Sequence, residues 1–347
     1  MEQLIDRLYH TSDLRDEELR LLLESGEGDE YLFQMADRKR REIYGDEVYL
    51  RGLIEFSSFC KNNCYYCGIR RGNGKLSRYR LSKEDILLCA EAGYALGYRT
   101  FVLQSGEDPF YTDEILCDII SALHTAWPDC AITLSIGEKS RESYEAYYRA
   151  GASRYLLRHE TASETHYGRL HPPEMSLKNR KECLYQLKEI GYQVGAGFMV
   201  GSPFQTTENI LEDLRFLQAL KPEMIGIGPF LTHQDTPFAG MKNGSLHLTV
   251  RLLALLRLMF PMALIPATTA LGTIHPQGRE MGLKAGANVI MPNLSPTEVR
   301  KQYSLYDNKI STGAEAAEGR ALLEKQIKDA GYRAVTAIGD CAGWKRK

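Results

Sequence analysis

Hydrophobic positions repeat in one pattern from about residue 49 onward. A short apolar or β-branched run leads into a turn rich in Gly, Ser and Asn, and a charged segment with helical periodicity follows. Most runs are apolar at consecutive positions, as is typical of parallel strands covered by helices on both faces. Eight such runs lie near residues 49–56, 100–104, 131–135, 154–157, 193–200, 224–228, 264–268 and 288–291.

The segments between these runs predict amphipathic helices, for example over 83–96, 141–150, 177–189 and 207–220. Eight strand-then-helix units favour an α/β fold, a complete (β/α)8 TIM-type barrel, with a doubly wound sheet as the main alternative. We expect one domain over 1–347. Its predicted parts are N-terminal helices at 1–48, the barrel at 49–295 and a C-terminal extension at 296–347 that wraps the outside.

Composition narrows the possible partners. Lys and Arg total 43 against 45 Asp and Glu, so nothing indicates a nucleic-acid partner. The apolar stretch 252–265 contains Arg257 and Pro261 and is too short to span a bilayer, so we expect no membrane association. The N-terminus lacks a basic region followed by an apolar run, which predicts a cytoplasmic protein.

Three of the eight cysteines, Cys60, Cys64 and Cys67, are crowded directly after the first predicted strand. This C-x3-C-x2-C trio indicates metal binding rather than a disulfide framework. Thiolates suit both iron and zinc. An iron–sulfur cube normally takes four thiolates, so a trio leaves one iron open. The alternative is a structural zinc loop completed by a distant His or Cys.

The trio, with the aromatic Tyr66 before its last cysteine, resembles that of the radical S-adenosylmethionine (SAM) superfamily. This resemblance implies one 4Fe-4S cluster whose open iron chelates the amine and carboxylate of SAM. It also implies an electron transfer to the sulfonium, which yields a 5′-deoxyadenosyl radical.

Catalytic groups of such barrels gather where the strands end. Ser105-Gly106-Glu107 after the second run is similar to the superfamily's Gly-Gly-Glu motif for the SAM amine. Strand alternation places Thr133 and Ser135 on one inward face. Arg158 and Glu160 also share a face, where they either pair with each other or bind an anion and SAM respectively. Met199 is a candidate to pack on adenine, or else an ordinary core residue.

Longer blocks resemble the E-type maturases of FeFe-hydrogenase (HydE). They lie at 60–67, 102–111, 155–162, 195–203, 226–237, 266–280 and 286–293, and the similarity extends over about 42–306. With this resemblance we assign the trio, Arg158 and Tyr306 to catalysis. The residues assigned to SAM are Tyr66, Gln104, Ser105, Gly106, Glu107, Ser135, Glu160, Arg180 and Met199, and those assigned to the substrate cavity are Thr133, Arg158, Thr268, Thr269, Tyr303 and Tyr306.

The resemblance implies a role in building the two-iron part of the hydrogenase H-cluster. The substrate would be a small iron complex of cysteine, carbon monoxide and cyanide made by HydG, and the adenosyl radical would attack its cysteine sulfur. Transient contacts with HydG and HydF are expected.

Some members of the family carry a second cysteine trio after the tyrosines. Here residues 309–313 contain no cysteine and the next is Cys341, so we predict a single cluster. The alternatives are a biotin synthase-like or methylornithine synthase-like radical SAM enzyme, and a non-catalytic metal-binding scaffold.

Overall fold

The computed structural model describes residues 1–345, in which helices precede, surround and follow a set of parallel strands. The strands are β1 (Glu47–Leu50), β2 (Gly52–Ser57), β3 (Thr100–Ser105), β4 (Ala131–Ser135), β5 (Ala152–Leu156), β6 (Gln193–Ala196), β7 (Met199–Val200), β8 (Met224–Ile225), β9 (Gly228–Pro229), β10 (Val289–Ile290) and β11 (Arg333–Val335). The helices are α1 (Glu2–Thr11), α2 (Asp16–Glu24), α3 (Asp29–Tyr44), α4 (Lys83–Ala95), α5 (Asp113–Ala126), α6 (Arg141–Ala150), α7 (Glu164–Leu170), α8 (Leu177–Ile190), α9 (Thr207–Leu220), α10 (Leu246–Met259), α11 (Thr269–Ile274), α12 (Gly278–Lys284), α13 (Thr297–Arg300) and α14 (Arg320–Asp329).

The strands close into a barrel, which confirms the predicted (β/α)8 fold. Within the described residues, six strands form a parallel sheet in the order β2-β3-β4-β5-β6-β8. Parallel bridges continue the ring from Met224 to Leu264 and from Pro266 to Val289. β10 then pairs with β1, and the bridge between Leu53 and Asn293 returns to β2.

Two predicted runs are less regular than their hydrophobicity suggests. The run at 264–268 contributes bridges instead of an extended strand, because Pro266 has no N–H to donate to a neighbour. The run at 193–200 is split into β6 and β7 at Gly197. A side chain there would lie 1.9 Å from the carbonyl oxygen of Gly226, so only glycine allows this approach.

Register sets the inward face. Val102 pairs with Thr133, and both line a small internal cavity of about 20 Å³ with Arg51. Two residues further along the strands, Glu55 pairs with Gln104 and Gln104 with Ser135. Since strand side chains alternate, this second row also faces inward, nearer the carboxyl end of the barrel.

The chain beyond the last barrel strand covers both ends of the barrel. Its first part crosses the carboxyl end, where Gly68 N donates to Leu305 O at 2.8 Å. Its last part reaches the opposite end, where Arg154 on β5 binds Asp340 at 2.6 Å. The extension therefore also covers the amino end of the barrel. The boundaries predicted at 48 and 295 stay predictions.

The N-terminal helices form an outer layer. In α3 the buried positions Leu32, Met35 and Ala36 recur at helical spacing. This apolar stripe packs on α10, the most deeply buried of the barrel helices. No helix among residues 1–345 combines the length and apolarity needed to cross a membrane.

Candidate active site

The cysteine trio lies in the loop between β2 and α4, at the carboxyl end of the barrel. Two arginines bind the backbone of this loop. Arg70 donates to Cys64 O at 3.1 Å and to Asn63 O at 3.2 Å. Arg78 donates to Ser58 O at 2.5 Å and to Ile69 O at 3.0 Å. These arginine contacts hold the backbone of the loop in place.

The three thiols are free and partly buried. Burial raises the pKa of Cys60 and Cys64 and raises that of Cys67 to about 12, so proton loss from these thiols would accompany iron binding. In the described part of the chain, no group of three Cys, His, Asp or Glu side chains is arranged to hold one metal ion. In an iron–sulfur cube each thiolate binds its own iron.

Gly106 sets the distance between β3 and the cysteine loop. A Cβ at this position would lie 2.2 Å from Phe59 O and 2.7 Å from Cys60 Cβ. Any side chain therefore displaces the backbone beside the first cysteine. The Ser105 hydroxyl donates to Gly106 O at 2.7 Å, which turns it toward the backbone of the motif.

We predict that Gly106→Ala lowers reductive SAM cleavage by at least ~tenfold, because displaced catalytic groups lose their geometry. Iron and sulfide content after anaerobic reconstitution should fall in parallel. Gly168→Ala is the matched control, since a Cβ at Gly168 meets nothing within 4 Å. Equal iron content and cleavage rate in the two variants would contradict this assignment.

Arg180 links two carboxylates beside the cysteine loop. Its Nε is 2.6 Å from Glu138 Oε1, and its Nη2 is 4.0 Å from Glu107 Oε1. Glu107 also accepts from Glu138 N at 3.0 Å and pairs with Lys61 at 3.3 Å. The site therefore has buried groups of both signs, as binding of the amine and carboxylate of an amino acid requires.

Arg158 and Glu160 form a salt bridge, which is one of the two arrangements expected from their shared face. Arg158 Nη2 lies 3.0 Å from Glu160 Oε2. Glu160 has a φ of 66°, a left-handed conformation that costs energy for a non-glycine residue. The adjoining side chain helps to hold this turn, because His159 accepts from Gly197 N at 3.3 Å and lies 3.2 Å from Asp213. Both His159 and Asp213 are fully buried.

A second buried histidine supports the same turn. His166 lies 3.1 Å from the Thr161 hydroxyl and 3.0 Å from Pro203 O, and burial lowers its pKa from 6.5. The unfolded chain therefore binds a proton that the folded state excludes. We predict that this group makes the free energy of unfolding fall by up to ~1.4 kcal/mol per pH unit below about 6.5.

Urea unfolding at several pH values checks this sign. His166→Gln, which cannot take up the proton, should show a shallower loss between pH 6.5 and 5. A slope identical to that of the wild type would contradict the assignment.

The barrel interior contains polar atoms that lack a protein partner. In residues 1–345 these inward groups include the hydroxyls of Thr133 and Thr268 and the Nε of Arg158. Buried polar atoms normally have hydrogen-bond partners. These unpartnered atoms are therefore those expected of an interior that binds a polar ligand. Tyr303 covers this interior beside Gln104, and Tyr306 lies beside Thr273.

The other residues predicted to belong to the site lie at the edge of this polar interior. Thr269 donates to Glu315 at 3.0 Å, within the C-terminal extension. Met199 packs with Phe230 and Phe238 under the two tyrosines of the cysteine loop, so here it is part of an apolar cluster. Tyr66 lies 3.1 Å from His171, and Ser135 ends β4 on the inward face.

Sequence reasoning missed three charged residues of the site. Glu55 is buried inside β2, Lys309 pairs with it at 2.6 Å, and Glu138 binds Arg180. The signal for Glu55 was a single carboxylate within an otherwise apolar strand. Glu138 follows directly after the third run, where strand-end residues were already suspected.

The fold and the cysteine site together define a radical SAM enzyme, and residues 54–217 match the Radical SAM superfamily. The [FeFe] hydrogenase maturase subunit HydE of Thermotoga maritima is 50% identical over 281 residues, which cover 81% of this chain and 80% of the relative. The chain belongs to the HydE family. A 3-methylornithine synthase of Methanosarcina acetivorans is 29% identical over 89% of this chain and 88% of its own.

The crystal structure of methylornithine synthase (PylB) has the same fold. It matches with a TM-score of 0.85 and 27% identity, covering 96% of this chain and 97% of the other. Membership in the radical SAM superfamily implies a 4Fe-4S cluster and SAM as cofactors.

Proposed function

We propose that this protein is a maturase of [FeFe]-hydrogenase that acts on a small iron complex carrying cysteine, carbon monoxide and cyanide. The observation that carries the proposal is the set of unpartnered polar atoms inside the barrel, namely the Nε of Arg158 and the hydroxyls of Thr133 and Thr268. They lie in a chain half identical to a HydE. A polar interior of this kind suits an anionic complex better than an alkyl chain.

Cys60, Cys64 and Cys67 would hold a single 4Fe-4S cluster, with its open iron available to SAM. On reduction, this pair of cofactors supplies a 5′-deoxyadenosyl radical. A second cluster is not proposed, because the one cysteine after Tyr306 is Cys341, which is buried and contacts Met262 O at 3.0 Å.

The charged groups near the loop would bind the polar ends of SAM. Arg180 suits the carboxylate, whereas Glu107 and Glu160 suit the ammonium and ribose hydroxyls as acceptors. Gln104 and Ser135 point inward at the next level. Tyr66 and Met199 would contribute apolar surface.

The deeper residues would bind the iron complex. Arg158 provides a cation, and the two threonines provide hydroxyls, for its cyanide and carboxylate groups. Burial raises the pKa of both Tyr303 and Tyr306, so both phenols stay protonated and available as donors. The radical would then attack the cysteine sulfur, so that a C5′–S bond forms while the Fe–S bond breaks, and the iron unit would leave one electron more reduced, toward a two-iron precursor. HydG as the source, and HydF as a later partner, belong to this proposal.

The experiment is a turnover assay with reduced, reconstituted protein, SAM and the iron–cysteine complex. We expect a species with a new bond between the adenosyl C5′ and the cysteine sulfur, detected by mass spectrometry. Arg158→Leu should lose this species but retain SAM cleavage. Lysine and dethiobiotin replace the iron complex in parallel assays, and turnover of either without turnover of the complex would overturn the proposal.

The same assay distinguishes this enzyme from a non-catalytic metal-binding scaffold. A scaffold would form no 5′-deoxyadenosine under any of these conditions.

A further inference from the structure

Glu55 is a carboxylate inside the barrel that neither the cluster nor the SAM assignment uses. It is 1% exposed and lies beside Gln104 in the inward row. Asn293 donates to its Oε2 at 2.8 Å, and Lys309 approaches its Oε1 at 2.6 Å. A buried carboxylate thus has a cation supplied from a distant part of the chain.

Lys309 comes from the extension that crosses the barrel mouth. Its ammonium also donates to Tyr303 O at 3.2 Å and lies 5.0 Å from the centre of the Tyr303 ring. The side chain is 9% exposed. One ammonium group therefore connects the wall of the barrel to the backbone of a residue that covers it.

The other contacts of this segment lie at the rim. Leu305 O accepts from the cysteine loop, and Asp307 N donates to Thr232 O at 2.9 Å. The Asp307 carboxylate accepts from Gln234 N at 2.8 Å. These bonds place the segment on the mouth, whereas the contact with Glu55 draws it toward the interior.

Burying two charges is costly, and an apolar pair would often stabilise a fold as well, so stability alone gives weak reason for this pair. A salt bridge whose members also bind Asn293 and the Tyr303 carbonyl does, however, specify geometry. We propose that Glu55 and Lys309 are positioning residues that hold Tyr303, and with it Tyr306, against the reaction chamber and keep water out while the radical is present. The importance of the two tyrosines rests on the proposed function.

The test compares Lys309→Met with Lys301→Met, which removes an exposed lysine from the same extension. In the reconstituted protein with SAM, amide hydrogen exchange of residues 303–310 should become at least ~tenfold faster in Lys309→Met alone. Lys309→Arg keeps the charge and should restore most of the protection. If Lys309→Met folds poorly, Lys309→Arg still tests the inference.

The second readout is coupling, measured as 5′-deoxyadenosine formed per iron complex consumed. This ratio should rise in Lys309→Met and stay at the wild-type value in Lys301→Met, a change that a merely structural role would not produce. Unchanged exchange, or an unchanged ratio in a folded Lys309→Met, would overturn the inference. If the wild type does not consume the iron complex, the proposed function fails, whereas the exchange measurement still decides the role of the pair.

Discussion

We expect replacement of Cys64 by serine to abolish reductive SAM cleavage. A hard hydroxyl is a poor ligand for the iron of a cluster, and two thiolates cannot hold a cube with an open iron. The loss should exceed the ~10–100-fold that removal of an outer partner of a metal ligand costs. The measurement is 5′-deoxyadenosine formation by the reduced, reconstituted protein.

Cys117→Ser is the matched control, because this free cysteine lies on α5, away from the loop. It should keep wild-type iron content and cleavage. Cleavage by Cys64→Ser at a rate near that of the control would show that the thiol is not a ligand.

Arg180→Leu has the second largest expected effect. It removes the guanidinium partner of the buried Glu107 and the partly buried Glu138, and loss of one member of a buried pair costs about 3–5 kcal/mol. If the same guanidinium binds the SAM carboxylate, the Kd for SAM should rise about a hundredfold. Chemical unfolding and equilibrium SAM binding measure the two effects separately.

A double variant distinguishes structural support from ligand binding. Arg180→Leu with Glu138→Leu removes both charges and should recover much of the stability, but SAM affinity should stay low. Arg149→Leu, at an exposed position on α6, should change stability by no more than ~0.5 kcal/mol. Recovery of SAM affinity in the double variant would exclude Arg180 as a SAM ligand.

The barrel and the cysteine loop could be predicted because their signals are local. Parallel strands buried on both faces read as short apolar runs, and the trio occupies eight consecutive residues. The same local reading placed Thr133 and Ser135 on one face, which the register confirms. It also predicted that Arg158 and Glu160 share a face, and the two side chains pair.

The contacts that complete the site are long-range and leave no local pattern. Glu55 and Lys309 are 254 residues apart, and the pairing of Arg154 with Asp340 seals the other end of the barrel. Such contacts depend on how the extension folds back, which hydrophobic periodicity does not encode. The irregular strand at Pro266 was missed for another reason, since an apolar run reveals burial but not the loss of one backbone donor.

The central claim is that this chain supplies the E-type step of hydrogenase maturation. The most direct test adds the purified, reconstituted protein as the only E-type factor to apo-hydrogenase with the other maturases, SAM, reductant and the iron complex. We predict hydrogen evolution with the wild type and none above the omission control with Cys64→Ser. Absence of hydrogen evolution from a wild-type preparation that still cleaves SAM would contradict the account.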